Sequence, residues 1–169
     1  MKKTAKKTVF ILLAVFMLQL SVVSAAFAKN SLSIGESLSQ GQMLSSNNGR
    51  FNLVMQTDGN LVLYKDAGNP IWSTSTNGAA YVWRDPITGY TTRRSPQLLT
   101  LSAGLLRVTD QFKDFTFWRA DTQGWSNAHY QGNVPAGLIG DSLVVQDDGN
   151  VVLYSSGKGP VWASNTNGR

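Results

Sequence analysis

The chain has 169 residues, with 15 Lys and Arg against 10 Asp and Glu and a formal net charge of +5. Four of the cations (Lys2, Lys3, Lys6 and Lys7) precede Lys29 and no acidic residue does, which leaves 11 cations against 10 anions in residues 29–169 and removes the basic excess that phosphate binding needs. There is no cysteine, so neither a disulfide nor thiolate chemistry is available.

In chain order, the basic start leads into an almost unbroken apolar run from Val9 to Val23, and Ala26-Phe27-Ala28 supplies the small-x-small pattern of a cleavage site. The run is too short for a comfortable spanning helix. Residues 1–28 are therefore expected to be a signal peptide cleaved after Ala28, leaving no membrane span and a secreted protein, extracellular or periplasmic. The Lys-rich start is of bacterial type. Residues 29–169 are long enough for one single-core domain. They are rich in Gly, Asn, Ser and Thr and hold no long amphipathic helical stretch, which predicts an all-β fold with many tight turns.

A nine-residue pattern, Gln-x-Asp-x-Asn-x-Val-x-Tyr, occurs at Gln56–Tyr64 and again at Gln146–Tyr154. Pro-aliphatic-Trp follows each copy, as Pro70-Ile71-Trp72 and Pro160-Val161-Trp162. Trp72, Trp118 and Trp162 each begin Trp-x-x-x-Thr-x-Gly at spacings of 46 and 44, so the domain divides into three repeats at approximately 29–78, 79–124 and 125–169. In the two intact copies Asp-Gly lies between aliphatic runs, the signal of a two-residue hairpin. Strand alternation then directs Leu61 and Leu63 into the core and leaves the Val62 and Tyr64 face to a ligand. The three Trp residues are expected to form a shared core at a threefold axis.

The middle repeat keeps the apolar frame and loses the polar residues. Aligned between the intact copies, Thr100, Ser102, Gly104, Leu106 and Val108 stand at the Gln, Asp, Asn, Val and Tyr positions, while Leu99, Leu101, Leu105 and Leu106 still predict a strand pair. Residues 79–96 match neither partner. With Asp85-Pro86, Thr88-Gly89 and Arg93-Arg94 they read as an extra hairpin or loop, the dibasic pair exposed.

Gln, Asp, Asn and Tyr over one hairpin combine acceptors, amide donors and a phenol, an inventory suited to a polyhydroxylated ligand, with Val62 and Val152 as small apolar patches for ring carbons. The two motifs with their Pro-aliphatic-Trp and Trp-x-x-x-Thr-x-Gly tails, and the opening Leu38-Ser39-Gln40-Gly41-Gln42, resemble the bulb-type (monocot mannose-binding) lectin family, in a bacterial member. The resemblance covers nearly all of residues 29–169. It implies a β-prism II of three four-stranded antiparallel sheets with pseudo-threefold symmetry, and a secreted lectin for mannose or mannose-containing glycans. It also implies two mannose sites, Gln56, Asp58, Asn60, Val62 and Tyr64 in one and Gln146, Asp148, Asn150, Val152 and Tyr154 in the other. The middle repeat would be inactive. Family members also suggest a homodimer formed by exchange of C-terminal strands.

An enzyme is the second class. His129 is the only histidine and Glu36 the only glutamate, and neither falls in a repeated motif, so no nucleophile and base can be paired. No His/Asp cluster has metal-ligand spacing, and neither a cofactor nor a metal is expected. A third reading is a lectin-like bacteriocin or toxin acting on related bacteria, in which Trp83, Trp125 and the 79–96 insert supply a contact other than sugar.

Overall fold

The computed structural model describes residues 29–66 and 68–169, so the leader expected over 1–28 lies outside it. Three four-stranded antiparallel sheets carry the fold. Across the first run β3 (Met43–Ser45), β4 (Phe51–Met55), β5 (Leu61–Lys65) and β6 (Asn69–Ser73). The second is β2 (Ser37–Ser39), β9 (Leu98–Ser102), β10 (Leu105–Thr109) and β11 (Thr116–Arg119). The third is β1 (Ser31–Ser33), β12 (Ser142–Val145), β13 (Val151–Ser155) and β14 (Gly159–Ala163). This is the three-sheet prism the repeats imply.

Two elements stand outside the sheets. β7 (Tyr81–Arg84) and β8 (Thr91–Arg94) pair only with each other, forming the hairpin expected within 79–96. α1 (Thr122–His129) is the single helix among the described residues, an addition to the all-β fold that the composition predicts. Its N-cap is Asp121, whose carboxylate accepts from the Gly124 N–H at 2.9 Å.

The sheets do not coincide with the sequence repeats. The segment before the first motif lends one short strand to each sheet, and Leu32, Leu38 and Leu44 sit buried at the centres of β1, β2 and β3. Each leucine opens a cross-strand row that ends on a tryptophan. The rows are Leu44–Leu53–Leu63–Trp72, Leu38–Leu99–Val108–Trp118 and Leu32–Leu143–Leu153–Trp162. Facing pairs on one side of a sheet pack directly against each other, and all three rows turn toward the common axis.

At that axis the three indoles meet edge to face. Their centroids are 5.7 Å apart for Trp72–Trp118, 5.9 Å for Trp72–Trp162 and 5.8 Å for Trp118–Trp162. This is the geometry in which the positive ring edge meets the negative face, worth about 0.5–1.5 kcal/mol per pair beyond area burial. Each tryptophan also lies next to a bulge. Register slips between Leu63 and Tyr64 and between Leu153 and Tyr154, opposite Pro70-Ile71-Trp72 and Pro160-Val161-Trp162. A proline has no N–H for a ladder, so it is tolerated on these edge strands beside the irregularity.

Neighbouring repeats lock onto each other at the hairpin tips. A Cβ at Gly59 would lie 2.4 Å from Pro96, and one at Gly149 would lie 2.5 Å from Phe51. Both glycines have φ near +90°, so neither the backbone nor the space admits a side chain. The β7–β8 hairpin is anchored in a similar way. Arg94 stacks on Phe112 at 4.3 Å and reaches Asp110, whose buried carboxylate also accepts from the N–H groups of Asp114 and Phe115. The Arg93-Arg94 pair therefore lies in a strand rather than an exposed loop, with Arg94 half-buried. At the tip, N–H groups of Thr88 and Ile87 donate to Asp85 and hold its carboxyl below the usual range.

The tryptophan triangle carries a direct expectation. Trp162→Ala should lower the unfolding free energy by about 3–5 kcal/mol, read from denaturant titration by circular dichroism. A loss under about 1 kcal/mol would mean that the indole is not packed as described.

Candidate functional site

The residues singled out by the repeated motif fall together on two hairpins, β4–β5 and β12–β13. In each the motif begins where the incoming strand ends and finishes on the outgoing one. The tip differs from the two-residue turn that Asp-Gly suggested. Gln56 N–H donates to the Asn60 carbonyl at 2.8 Å and Gly59 N–H to the Gln56 carbonyl at 3.1 Å, which makes Thr57, Asp58 and Gly59 a three-residue loop. Asp58 accepts from the Asn60 N–H at 2.9 Å through its own side chain, and among these loop residues only Gly59 takes a positive φ. The second hairpin repeats each bond, with Gln146 to Asn150 at 2.9 Å and Asp148 to the Asn150 N–H at 2.9 Å.

The tail of the repeat closes over the tip as a clamp. Thr76 Oγ1 donates to the Gly59 carbonyl at 2.7 Å, and its N–H donates to Asn60 Oδ1 at 3.1 Å. Thr74 Oγ1 also donates to Asn60 Oδ1 at 3.2 Å while accepting from the Leu61 N–H at 3.2 Å. Thr166, Ser164, Gly149 and Asn150 make the same bonds at 2.6–3.2 Å. Two donors converging on one amide oxygen fix the amide's orientation, because its nitrogen can accept nothing. The Asn60 and Asn150 amide nitrogens are thereby turned away from the clamp.

A second pairing orders the rest of the site. Gln56 Nε2 donates to the Tyr64 hydroxyl at 2.7 Å, and Gln146 Nε2 to that of Tyr154 at 2.9 Å. Among the described residues nothing in the protein takes up the Asn60 amide hydrogens, the second Asp58 oxygen, the Gln56 side-chain oxygen Oε1 or the Tyr64 hydroxyl proton. The second hairpin has the same set. Each tip thus offers two donors and two acceptors in a fixed arrangement. That is an address for adjacent hydroxyl groups, which give and accept at once. Val62 and Val152 are only 4% exposed, so they form a small floor between these groups rather than an open apolar face.

The middle repeat is built on a different turn. Ser102 pairs with Leu105, and Ala103-Gly104 with φ of 49° and 75° form a true two-residue hairpin, one residue shorter than the others. This shifts the expected alignment. Counting from the rows that end on tryptophan, Ser102 stands at the Gln position, Leu105 at Asn, Arg107 at Val and Thr109 at Tyr. Leu106 and Val108, placed outward by the sequence alignment, are buried core. A one-residue slip exchanges the faces of a strand. The clamp is missing too, since Ala120 stands where Thr74 and Ser164 stand and Thr122 begins α1 instead of reaching the turn. The polar set is absent under either alignment.

The second hairpin has a neighbour the first lacks. Trp125 and His129, one turn apart on α1, stack at 4.5 Å and line a hollow of about 220 Å³ with Gln146, Asn150, Val152 and Tyr154. From the residues alone Trp125 stands as a contact other than sugar and His129 as a lone histidine outside the repeated motifs. The missed cue was Asp121, an N-cap that turns the chain into a helix and brings both rings to the site. Among the described residues no three His, Asp or Glu side chains gather to hold a metal ion.

The chain is similar to proteins of known kind. A mannose-specific lectin of Aloe arborescens is 30% identical over 137 residues, 81% of this chain and 97% of the relative. A mannose-specific lectin of Galanthus nivalis is 45% identical over 75 residues, 44% of each chain, so that match spans under half of the relative. A monomeric monocot mannose-binding lectin from Gastrodia elata has a similar fold, with a TM-score of 0.57 and 27% identity over 82% of this chain and 99% of that one. No protein-family model matches.

The clamp can be tested without any ligand. Thr166→Val keeps the side-chain shape and removes the hydroxyl that reaches the Gly149 carbonyl, and should cost about 1–3 kcal/mol by thermal or chemical unfolding. An unchanged stability would show that the tail does not hold the tip.

Proposed function

The chain belongs to the bulb-type mannose-specific lectin family, and from that footing we propose that it binds mannose or mannose-containing glycans through two sites. Gln56, Asp58, Asn60, Val62 and Tyr64 form one, and Gln146, Asp148, Asn150, Val152 and Tyr154 the other. The observation that carries this reading is the identical set of unpartnered donors and acceptors on the two tips, each held by the same clamp. Its relatives are lectins, and the chain is not an enzyme.

In this reading the Asn amide donates to a sugar hydroxyl, the Asp and Gln oxygens accept, the Tyr hydroxyl donates, and Val62 or Val152 meets the ring carbons. Each hydrogen bond adds about 0.5–1.5 kcal/mol net, so a single shallow site binds weakly. Two sites on one rigid body raise the apparent affinity for a surface bearing many mannose ends. Such a role fits a protein exported by a leader over residues 1–28. In the described chain β14 pairs with β13 of its own sheet, and a dimer made by strand exchange would replace that pairing with an equivalent one between copies.

A second reading, an antagonistic protein acting on related bacteria, is favoured by the β7–β8 hairpin. There Ile87, Tyr90 and Trp83 are exposed at 92%, 71% and 44%. Killing that survives loss of both sugar sites would support it against a sugar-led action.

The test follows from the clamp. In Asn60→Asp and Asn150→Asp the side chain still offers an oxygen to the clamp donors (Thr74 and Thr76, Ser164 and Thr166) while the outward donor is lost. The double variant should fold normally and pass through a mannose resin that retains wild type, with wild type eluted by methyl α-mannoside. Retention of the folded double variant would refute the site assignment.

A further inference from the structure

The two tips carry the same polar set but differ in what stands beside them. α1 packs along β14, tied by Ser126 Oγ to the Val161 carbonyl at 2.8 Å and by the Tyr130 hydroxyl to the Pro160 carbonyl at 3.0 Å. From this helix the Trp125 indole N–H donates to Asn165 Oδ1 at 3.2 Å, in the clamp loop of the second site. The ring is thus held at one edge by a hydrogen bond and on one face by His129, its planes only 14° from parallel. At the first site Ser75 stands where Asn165 stands, and the chain leaving Gly78 enters β7, which pairs only with β8.

The hollow of about 220 Å³ above Gln146 and Asn150 falls short of the roughly 300–1,000 Å³ typical of sites that enclose larger ligands. It does not end there. Trp125, His129 and Asn165 also line an adjoining concavity of about 270 Å³ with Ala128. Trp125 and Asn165 border a third, which runs to Arg119 and Asp121 beside the axial tryptophans. One held aromatic ring therefore stands at the junction of a polar site and a continuing groove. A pyranose has an apolar face of C–H groups that packs on such a ring while its hydroxyls reach polar neighbours, here Asn165 and the His129 imidazole.

We propose that Trp125 and His129 form an extended subsite for a second hexose, so that the Gln146–Tyr154 site selects a mannose disaccharide or longer chain while the Gln56–Tyr64 site takes a single terminal mannose. This rests on the mannose reading above. The contribution is that of one aromatic contact, a gain of about three- to tenfold in affinity.

The experiment uses calorimetry on two single-site proteins, Asn60→Asp, which keeps the second site, and Asn150→Asp, which keeps the first. Each is titrated with methyl α-mannoside and with α1-2, α1-3 and α1-6 methyl mannobiosides. The Asn60→Asp protein should bind at least one disaccharide about three- to tenfold more tightly than the monosaccharide, and the Asn150→Asp protein should show no such preference. Adding Trp125→Ala to Asn60→Asp should bring the affinities to within about twofold. His129→Ala, which leaves the Trp125–Asn165 bond in place, should lower the preference without unfolding α1. The proposal is overturned if the Asn60→Asp protein prefers none of the three disaccharides, or if its preference survives both aromatic substitutions. If wild type fails to bind methyl α-mannoside at all, the mannose reading itself falls and the subsite falls with it.

Discussion

Packing of three tryptophans against one another at one axis is the constraint from which the remaining geometry follows. An indole that must face the axis fixes which residue of the neighbouring strand lies opposite it, and alternation then fixes every other side chain in that sheet. Leu63 opposite Trp72 and Leu153 opposite Trp162 leave Val62, Tyr64, Val152 and Tyr154 on the outer side. The polar tips are therefore a consequence of apolar packing. The outer strands close the arrangement: one short segment carrying Leu32, Leu38 and Leu44 threads all three sheets and makes the prism a single cooperative body rather than three independent hairpins.

A second dependence links the tail of each repeat to its site. Trp-x-x-x-Thr-x-Gly reads in sequence as a fold signature, yet its Thr reaches back to the hairpin tip and holds the Asn carboxamide by its oxygen. Orientation is what this contributes. A carboxamide free to flip would present donor and acceptor in turn, whereas here the donor always faces out. The middle repeat confirms the coupling by losing both halves together. Its turn is one residue shorter, Ala120 replaces the hydroxyl residue, and the chain departs into α1.

Much of this was legible in the residues. The two motifs lie on hairpins, the tryptophans meet at the axis, the extra hairpin falls within 79–96, and Leu61 and Leu63 are core, because apolar periodicity and repetition are local signals. Three features were not. The three-residue tip depends on Asp58 bonding to its own loop, which dipeptide turn preferences do not register. The frame of the middle repeat was misplaced because Ala103-Gly104 shortens the turn, and an ungapped comparison cannot show where a residue is missing. The placement of α1 against β14 is tertiary. Asp121 hints at a helix start, but nothing in the chain order says that Trp125 comes to rest beside Asn150.

α1 also breaks the symmetry that the sequence advertises. Two copies of one motif become two sites with different surroundings, one of them bordered by Trp125 and His129, on a scaffold whose middle hairpin lacks the polar set. What joins them is the fixed outward amide. The most direct measurement of that claim is a two-dimensional ¹⁵N–¹H spectrum of the side-chain amides recorded as methyl α-mannoside is added. Shifts should concentrate at the carboxamides of Asn60, Asn150, Gln56 and Gln146. Shifts gathered instead around Ser102–Thr109 or on the β7–β8 hairpin, with these four amides unmoved, would contradict that claim.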